Sequence, residues 1–133
     1  MLYNLSNEPS ILGQYLTEIR NVEIQKDPMR FRLNMERIAS VLGYEASKKM
    51  NYIKQDVQTP LGVSNEFKMD DDPVLITILR AGLAMHNGLL HTFDRCESAF
   101  VSAYRSHTSN EEFSIEVEYC LLYTSDAADD LGR

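Results

Sequence analysis

The sequence predicts an α/β fold, in which N-terminal helices and a hairpin arm lead into a parallel sheet. Helix-spaced apolar residues occupy the first third of the chain, and a turn between two extended segments lies in the middle. A β-branched apolar run then precedes a tight loop, a helical segment and another strand. That order is typical of a βαβ unit, whose two strands run parallel.

Two amphipathic helices are predicted before residue 50. The first spans residues 11 to 21, where apolar side chains recur on one helical face. The second begins at Asp27-Pro28, because Asp is a favoured N-cap and Pro is favoured at the first helical position. Its apolar stripe is Phe31, Met35, Ile38, Leu42 and Ala46. The helical period ends near Met50.

A hairpin arm is predicted next, between Tyr52 and Phe67. The turn Thr59-Pro60-Leu61-Gly62 separates two extended segments. The strand Val74 to Leu79 follows, and we expect it to be covered on both faces because it is almost entirely apolar. Residues 83 to 93 then show a helical face, residues 98 to 104 form another strand, and residues 113 to 119 alternate as a half-buried strand.

The segment 120 to 133 continues neither the alternation nor a helical stripe. Back-translated as TGT CTC TTA TAC ACA TCT GAC GCT GCC GAC, residues 120 to 129 resemble read-through into a transposon-based sequencing adapter. We therefore expect residues 1–119 to be part of a single domain and residues 120–133 to be a non-native tail.

Composition excludes several classes of protein. The 133 residues suit one domain, and 44% hydrophobic with 25% charged residues is ordinary globular composition. A net charge of -7 argues against a nucleic-acid binder that relies on phosphate neutralisation. No apolar run is long enough for a transmembrane helix, and the N-terminus lacks a signal peptide, so the expected location is the cytoplasm.

The loop Arg80-Ala81-Gly82 is the first candidate binding site, because it follows the apolar strand at its carboxyl end. Ligands of open α/β sheets bind at that edge. The small residues would let a ligand approach the backbone, their N–H groups can point at an anion, and Arg80 would add a charged donor. The alternative is that Arg80 is a solvated surface residue.

Arg105 repeats this placement after the next predicted strand, so the two cations could hold one polyanion; a solvated strand-end arginine is again the alternative. A basic helix face with Arg30, Arg32 and Arg37 could bind a nucleotide effector or be solvated. His86 and His91 lie five residues apart, a poor spacing for a shared metal, so no metal site is predicted.

Several of these segments together resemble the uracil phosphoribosyltransferases, in particular the Bacteroidetes-type members. The most diagnostic is Thr77-Ile-Leu-Arg-Ala-Gly-Leu, and Val101-Ser-Ala-Tyr-Arg105 follows it in the right order. Phe31-Arg32, Arg37-Ile38, Tyr44-Glu45 and Gln58-Thr-Pro-Leu-Gly62 are similar to the family's N-terminal helices and hairpin arm.

The resemblance implies a type I phosphoribosyltransferase fold with a Rossmann-like parallel sheet, here truncated to its N-terminal portion. The implied activity joins uracil to 5-phosphoribosyl 1-diphosphate, giving UMP and diphosphate, with Mg²⁺ bound through the diphosphate. Arg80, Ala81, Gly82 and Arg105 would bind the phosphoribosyl donor. GTP is a possible effector in this family, and we expect the full-length protein to form homo-oligomers.

Two family segments have no counterpart in this chain, namely the acidic loop that cradles the ribose 5-phosphate and the later segment that pairs with uracil. No catalytic residue is therefore identified in this half, and we expect the 133-residue chain to be inactive in UMP synthesis. Two alternatives stay open. One is a pyrimidine-operon-type RNA-binding regulator with the same fold, which the acidic charge disfavours, and the other is a non-catalytic interaction domain.

Overall fold

The computed structural model of the chain describes residues 4–107 and 113–123. Three α-helices are present in these ranges: α1 (Ile11–Arg20), α2 (Pro28–Ser47) and α3 (Leu83–Leu90), with short 3-10 turns at Leu5–Asn7 and Ile24–Lys26. The strands are β1 (Tyr52–Thr59), β2 (Gly62–Met69), β3 (Val74–Leu79), β4 (Glu97–His107) and β5 (Phe113–Tyr123). Of the helices described, none combines the length and apolarity needed to cross a membrane.

Two separate sheets organise the strands. β1 and β2 form an antiparallel hairpin, and β3, β4 and β5 form a sheet in that order. β3 and β4 run parallel, with Val74 opposite Glu97 and Leu79 opposite Ser102. α3 connects these two strands, which confirms the predicted α/β fold and its βαβ unit. β5 pairs with the other edge of β4 in the antiparallel direction.

The start of α2 follows from its capping residues. The Asp27 carboxylate accepts hydrogen bonds from the backbone N–H groups of Met29 (3.0 Å) and Arg30 (3.1 Å), and Pro28 occupies the first helical position. These bonds satisfy donors that the helix itself leaves unpaired. The predicted helix start is therefore confirmed.

Replacing this cap gives a first prediction. We expect Asp27→Ala to lower the free energy of unfolding by about 1 kcal/mol, because two N–H groups lose their acceptor. Urea unfolding followed by circular dichroism measures the change. Asp27→Asn is the matched control, since an amide oxygen still accepts these bonds, and an equal loss in both variants would contradict the capping role.

A fully buried polar residue joins α1 to α2. Asn34 donates through Nδ2 to Oε2 of Glu18 at 2.7 Å, and its Oδ1 accepts from Nη1 of Arg37 at 3.2 Å. The hydrogen bond from Asn34 is the main reason why the pKa of the Glu18 carboxyl lies below its ordinary value, with Gln14 contributing a second bond. The interface is thus polar as well as apolar.

Helices α2 and α3 approach each other closely at Gly88. A Cβ atom placed on Gly88 would lie 2.1 Å from the carbonyl oxygen of Glu36 and 2.7 Å from Cβ of Ala39. Oγ of Ser40 donates to the carbonyl oxygen of Gly88 at 2.8 Å across the same contact. The absence of a side chain at Gly88 permits this close spacing. The close contact and the hydrogen bond from Ser40 hold α3 against α2.

The hairpin arm packs chiefly against itself. Its turn uses Gly62 at φ 134°, a conformation that side-chain-bearing residues rarely adopt. Phe67 and Val63 are exposed by 73% and 66%. At the base of the arm, the Tyr52 hydroxyl donates to the carbonyl oxygen of Ser47 at 3.1 Å. The predicted arm is confirmed, and its strands extend to eight residues each.

β3 differs from its prediction, because only one of its faces is covered. Leu75 and Thr77 are buried, whereas Val74, Ile76 and Ile78 are exposed by 51%, 67% and 61%. Among the described residues α3 packs against one face of the strand, and the expectation of burial on both faces is wrong here. Apolar character in a strand does not by itself specify how many faces are covered.

The ends of β4 and β5 also differ from their predictions. β4 continues past Tyr104 to His107 because β5 pairs with it as far as Phe113. β5 continues past Tyr119 to Tyr123, which pairs with Ser98. The first residues of the proposed tail are therefore in a strand, residues 124–133 lie outside the described ranges, and a non-native origin for 120–133 stays a prediction.

Candidate functional site

The loop from Arg80 to Gly82 joins the carboxyl end of β3 to the start of α3. The Gly82 N–H donates to the carbonyl oxygen of Ile78 at 3.1 Å, and the Leu83 N–H donates to that of Arg80 at 3.2 Å. The peptide bond between Leu79 and Arg80 is cis. Because the Gly82 N–H is engaged inside the turn, the expectation that it points at an anion is wrong, while its part in donor binding stays a prediction.

The loop has no room for a side chain at position 82, so glycine is required there. A Cβ atom there would lie 2.8 Å from the Ile78 carbonyl oxygen and 2.9 Å from Cγ2 of Thr77. A backbone carbonyl cannot move away as the end of a flexible side chain can. Gly82 therefore keeps the loop folded back against β3, and Arg80 and Ala81 are left exposed at the surface.

A cleft opens between this loop and the first half of α2. Its volume is about 320 Å³, at the lower end of the range for small-ligand sites. The lining from α2 comprises Phe31, Arg32, Met35 and Glu36, and the lining from the loop and α3 comprises Arg80, Ala81, Leu83, Ala84 and Asn87. The structure thus places the predicted loop on a cavity that also includes residues about fifty positions earlier.

Charge distinguishes this cleft from a larger one. The cavity beside the N-terminal turn has about 390 Å³, but its charged lining residues are Glu8 and Glu45. The cleft at the β3–α3 loop has two arginines and one carboxylate, in a chain of net charge -7. An anionic ligand is therefore favoured in the smaller cavity.

The basic face of α2 is divided between two sides of the helix. Nη1 of Arg30 lies 3.9 Å from Oε2 of Glu18. The Arg37 guanidinium lies 5.4 Å from the ring centre of Tyr15. Both arginines therefore face α1. Arg32 faces the cleft beside Arg80 instead. The expectation of one face formed by all three arginines is wrong, and the binding of GTP as an effector stays a prediction.

Arg105 lies inside β4 rather than just past its end. Its backbone pairs with Ile115 of β5. The pairing of β4 with β3 ends at Ser102, so the backbone of Arg105 lies three residues beyond the last residue of β3. Its proposed contact with the phosphoribosyl donor stays a prediction.

A buried histidine in α3, His86, contacts the loop and the two strands next to it. Nδ1 of His86 lies 2.8 Å from Oγ1 of Thr77, Nε2 lies 3.5 Å from Oγ of Ser98, and the ring contacts Phe100. The His86 N–H also donates to the carbonyl oxygen of Gly82 at 2.9 Å. One residue of α3 thus contacts β3, β4 and the loop, and burial lowers the pKa of its imidazole below the ordinary value.

This lowered pKa predicts a pH dependence of stability. The unfolded chain binds more protons at His86 than the folded chain does once the pH is below about 6.5. The stabilisation by the neutral ring is complete above that pH and is lost as the pH falls towards the folded pKa. We expect urea unfolding to show a smaller loss of stability in His86→Gln than in the wild type between about pH 7.5 and 5.

The control for this experiment is His91→Gln, which removes an exposed histidine at the end of the same helix. Its stability should follow that of the wild type across the range. An equal pH dependence in His86→Gln and the wild type would contradict the assignment of this titration to the buried ring.

Comparison with protein families shows which family this chain belongs to. The family model described as uracil phosphoribosyltransferase matches residues 6–122. The chain belongs to the uracil phosphoribosyltransferase family. The resemblance read from the separated motifs is thereby confirmed.

Curated relatives of this chain are named uracil phosphoribosyltransferase. The uracil phosphoribosyltransferase of Porphyromonas gingivalis is 48% identical over 116 residues, which cover 87% of this chain and 54% of that protein. The one from Methanococcus maripaludis is 33% identical over 120 residues, covering 89% of this chain and 50% of that protein. The chain spans about half the length of the curated relatives it matches.

A solved structure supports the fold of this uracil phosphoribosyltransferase family member. The AQ2163 protein from Aquifex aeolicus matches with a TM-score of 0.73 and 21% sequence identity. The match covers 95% of this chain and 57% of that protein. At this identity the likeness concerns the fold alone.

Sequence reasoning did not assign the roles that the structure gives to Gly88, Arg32 and His86 in or near the cleft. Gly88 inside an apolar helix could have been noticed, because glycine is unfavourable there unless a close contact requires it. Arg32 could have been separated from Arg30 and Arg37 by its position on the helix. The buried network of His86 has no local signal, since its partners lie on strands up to 14 residues away.

Proposed function

We propose that this chain forms the donor-binding part of a uracil phosphoribosyltransferase of pyrimidine salvage, which converts uracil and 5-phosphoribosyl 1-diphosphate into UMP and diphosphate. Family membership supports the reaction class. The observation that carries the proposal is the cleft in which the Arg80-Ala81-Gly82 loop presents, next to a helix start, an arginine with no ion-pair partner among the described residues. This arrangement suits a phosphorylated anion.

The residues act by binding and orientation in this proposal. As the bond from ribose to diphosphate breaks, negative charge grows on the departing oxygens, and a fixed guanidinium at Arg80 stabilises it. Arg105, at the far end of β4, would approach the same donor. Neither arginine has to transfer a proton, because a guanidinium stays protonated.

Mg²⁺ enters as part of the substrate, bound to the diphosphate oxygens. Within residues 4–107 and 113–123 the structure shows no group of three or more His, Cys, Asp and Glu that could hold a metal. None of the described residues therefore has to act as a metal ligand. The chemistry that the ion supplies is neutralisation of the leaving group.

The test measures binding of 5-phosphoribosyl 1-diphosphate with Mg²⁺ to the 133-residue chain by isothermal titration calorimetry. We expect Arg80→Gln to raise the Kd by about 10- to 100-fold, the effect of losing a charge-assisted hydrogen bond to phosphate. Arg95→Gln is the matched control, because it removes an exposed arginine from the loop after α3. Equal affinities of the two variants would contradict the proposal.

Catalysis is a separate readout. We expect no UMP from the 133-residue chain in an assay with radiolabelled uracil, since the segments for ribose 5-phosphate and for uracil have no counterpart in its sequence. Measurable UMP synthesis by the purified chain would contradict this part of the proposal. Binding of the phosphoribosyl donor would still be decided by the calorimetric measurement.

Assembly and location belong to the same proposal. We propose that the full-length protein is a cytoplasmic homo-oligomer, and the exposed hairpin arm supports this because an isolated two-stranded hairpin is marginally stable in water. Sedimentation velocity on the full-length protein tests the oligomer. A monomer at concentrations well above those of the binding assay would contradict it.

A further inference from the structure

The cleft at the β3–α3 loop has a second cation whose role the proposed reaction leaves unassigned. Arg32 comes from α2, and Arg80 comes from the loop, so the two arginines line the cavity from different elements. Both side chains are exposed to solvent. Because they are 48 positions apart in the sequence, the tertiary fold is what places both on one cavity.

The packing of α2 on α3 fixes where Arg32 lies. The contact of Gly88 with Glu36 and Ala39 leaves no room for a side chain. Ser40 bonds to Gly88 in the same contact, and Thr92 donates to the Ser40 carbonyl oxygen at 3.3 Å. Arg32 is about two helical turns before Ser40 on a rigid helix. Its backbone is thus held at a set distance from the start of α3.

The charges in the cleft are not balanced by the residues that the structure describes. Arg30 and Arg37 have partners on α1. Across the described ranges, neither Arg32 nor Arg80 forms an ion pair or side-chain hydrogen bond, and Glu36 is the one carboxylate that lines the cavity. Two like charges in one cleft repel each other, and an anion between them removes that repulsion.

We propose that Arg32 is a second anion-binding residue of the donor site, which contacts the diphosphate from the α2 side while Arg80 contacts it from the loop side. This inference rests on the proposed function of the loop. A diphosphate has oxygens on both of its phosphorus atoms, so two separate guanidinium groups can each form charge-assisted hydrogen bonds with it.

The test uses inorganic diphosphate as the probe, titrated by calorimetry into the 133-residue chain. We expect Arg32→Gln to raise the Kd about tenfold, and Arg32→Lys to raise it less, because lysine keeps the charge but loses the planar fork. Arg20→Gln is the control, since it removes the same charge from an exposed helical arginine outside the cleft. Circular dichroism verifies that each variant keeps the wild-type helix content.

The outcomes separate this inference from the proposed function. If Arg80→Gln weakens binding while Arg32→Gln behaves like Arg20→Gln, the role of Arg32 is overturned and the proposed function stands. If the wild-type chain binds no diphosphate, both are overturned. If GTP binds through Arg32 and diphosphate does not, the cleft belongs to an effector and the inference is overturned.

Discussion

Gly88→Ala is expected to lower the free energy of unfolding by about 3 kcal/mol, near the upper end for overpacking a core. The added methyl group would meet the carbonyl oxygen of Glu36 at 2.1 Å and Cβ of Ala39 at 2.7 Å. Both obstacles are rigid, so α2 and α3 have to separate. Separation also weakens the hydrogen bond from Ser40 to Gly88.

Gly13→Ala is the matched control for this substitution. Gly13 lies in α1, and a Cβ atom there would contact nothing within 4 Å. Alanine is the better helix former, so we expect this variant to gain about 0.5 to 1 kcal/mol. Urea unfolding of both variants under the same conditions measures the difference, and equal stabilities would mean that the close contact of the two helices is absent in solution.

Gly82→Ala is expected to raise the Kd for 5-phosphoribosyl 1-diphosphate by about tenfold, because small displacements of positioning residues weaken binding of this kind strongly. The new Cβ would collide with the Ile78 carbonyl oxygen and with Cγ2 of Thr77. The loop must move away from β3, and Arg80 moves with it. Calorimetry on the chain measures the affinity.

A second variant shows whether the collision is the cause. Thr77→Ser removes Cγ2 and keeps the hydroxyl that bonds to His86, so the double variant Gly82→Ala with Thr77→Ser should recover part of the lost affinity. Thr77→Ser alone should bind like the wild type. Full affinity in Gly82→Ala itself would contradict the role given to this glycine.

Predictions that depended on neighbouring residues agreed with the structure. The start of α2 was predictable because the Asp27 carboxylate bonds only two and three residues ahead. The arm and the βαβ order were predictable for a similar reason, since turn residues and apolar periodicity act over short distances. The Arg80-Ala81-Gly82 loop was located from the same short-range pattern.

Predictions that depended on distant residues were less successful. The coverage of β3 depends on what packs on each face, which its own residues do not encode, and Ile76 is exposed by 67%. The grouping of Arg30, Arg32 and Arg37 failed for a different, local reason, because it overlooked helix geometry. At 3.6 residues per turn, Arg32 and Arg37 point about 140° apart, whereas Arg30 and Arg37 are within about 20°. A helical wheel would have separated them.

The self-contained hairpin arm has a thermodynamic consequence. β1 and β2 share few contacts with the helices or with the β3–β4–β5 sheet, and the bond from Tyr52 to Ser47 lies at the base of the arm. The arm can therefore open as a unit of its own, without global unfolding. Amide protons of the arm would then exchange with solvent at rates independent of the stability of the core, so substitutions at Gly88 and in the arm should have additive effects.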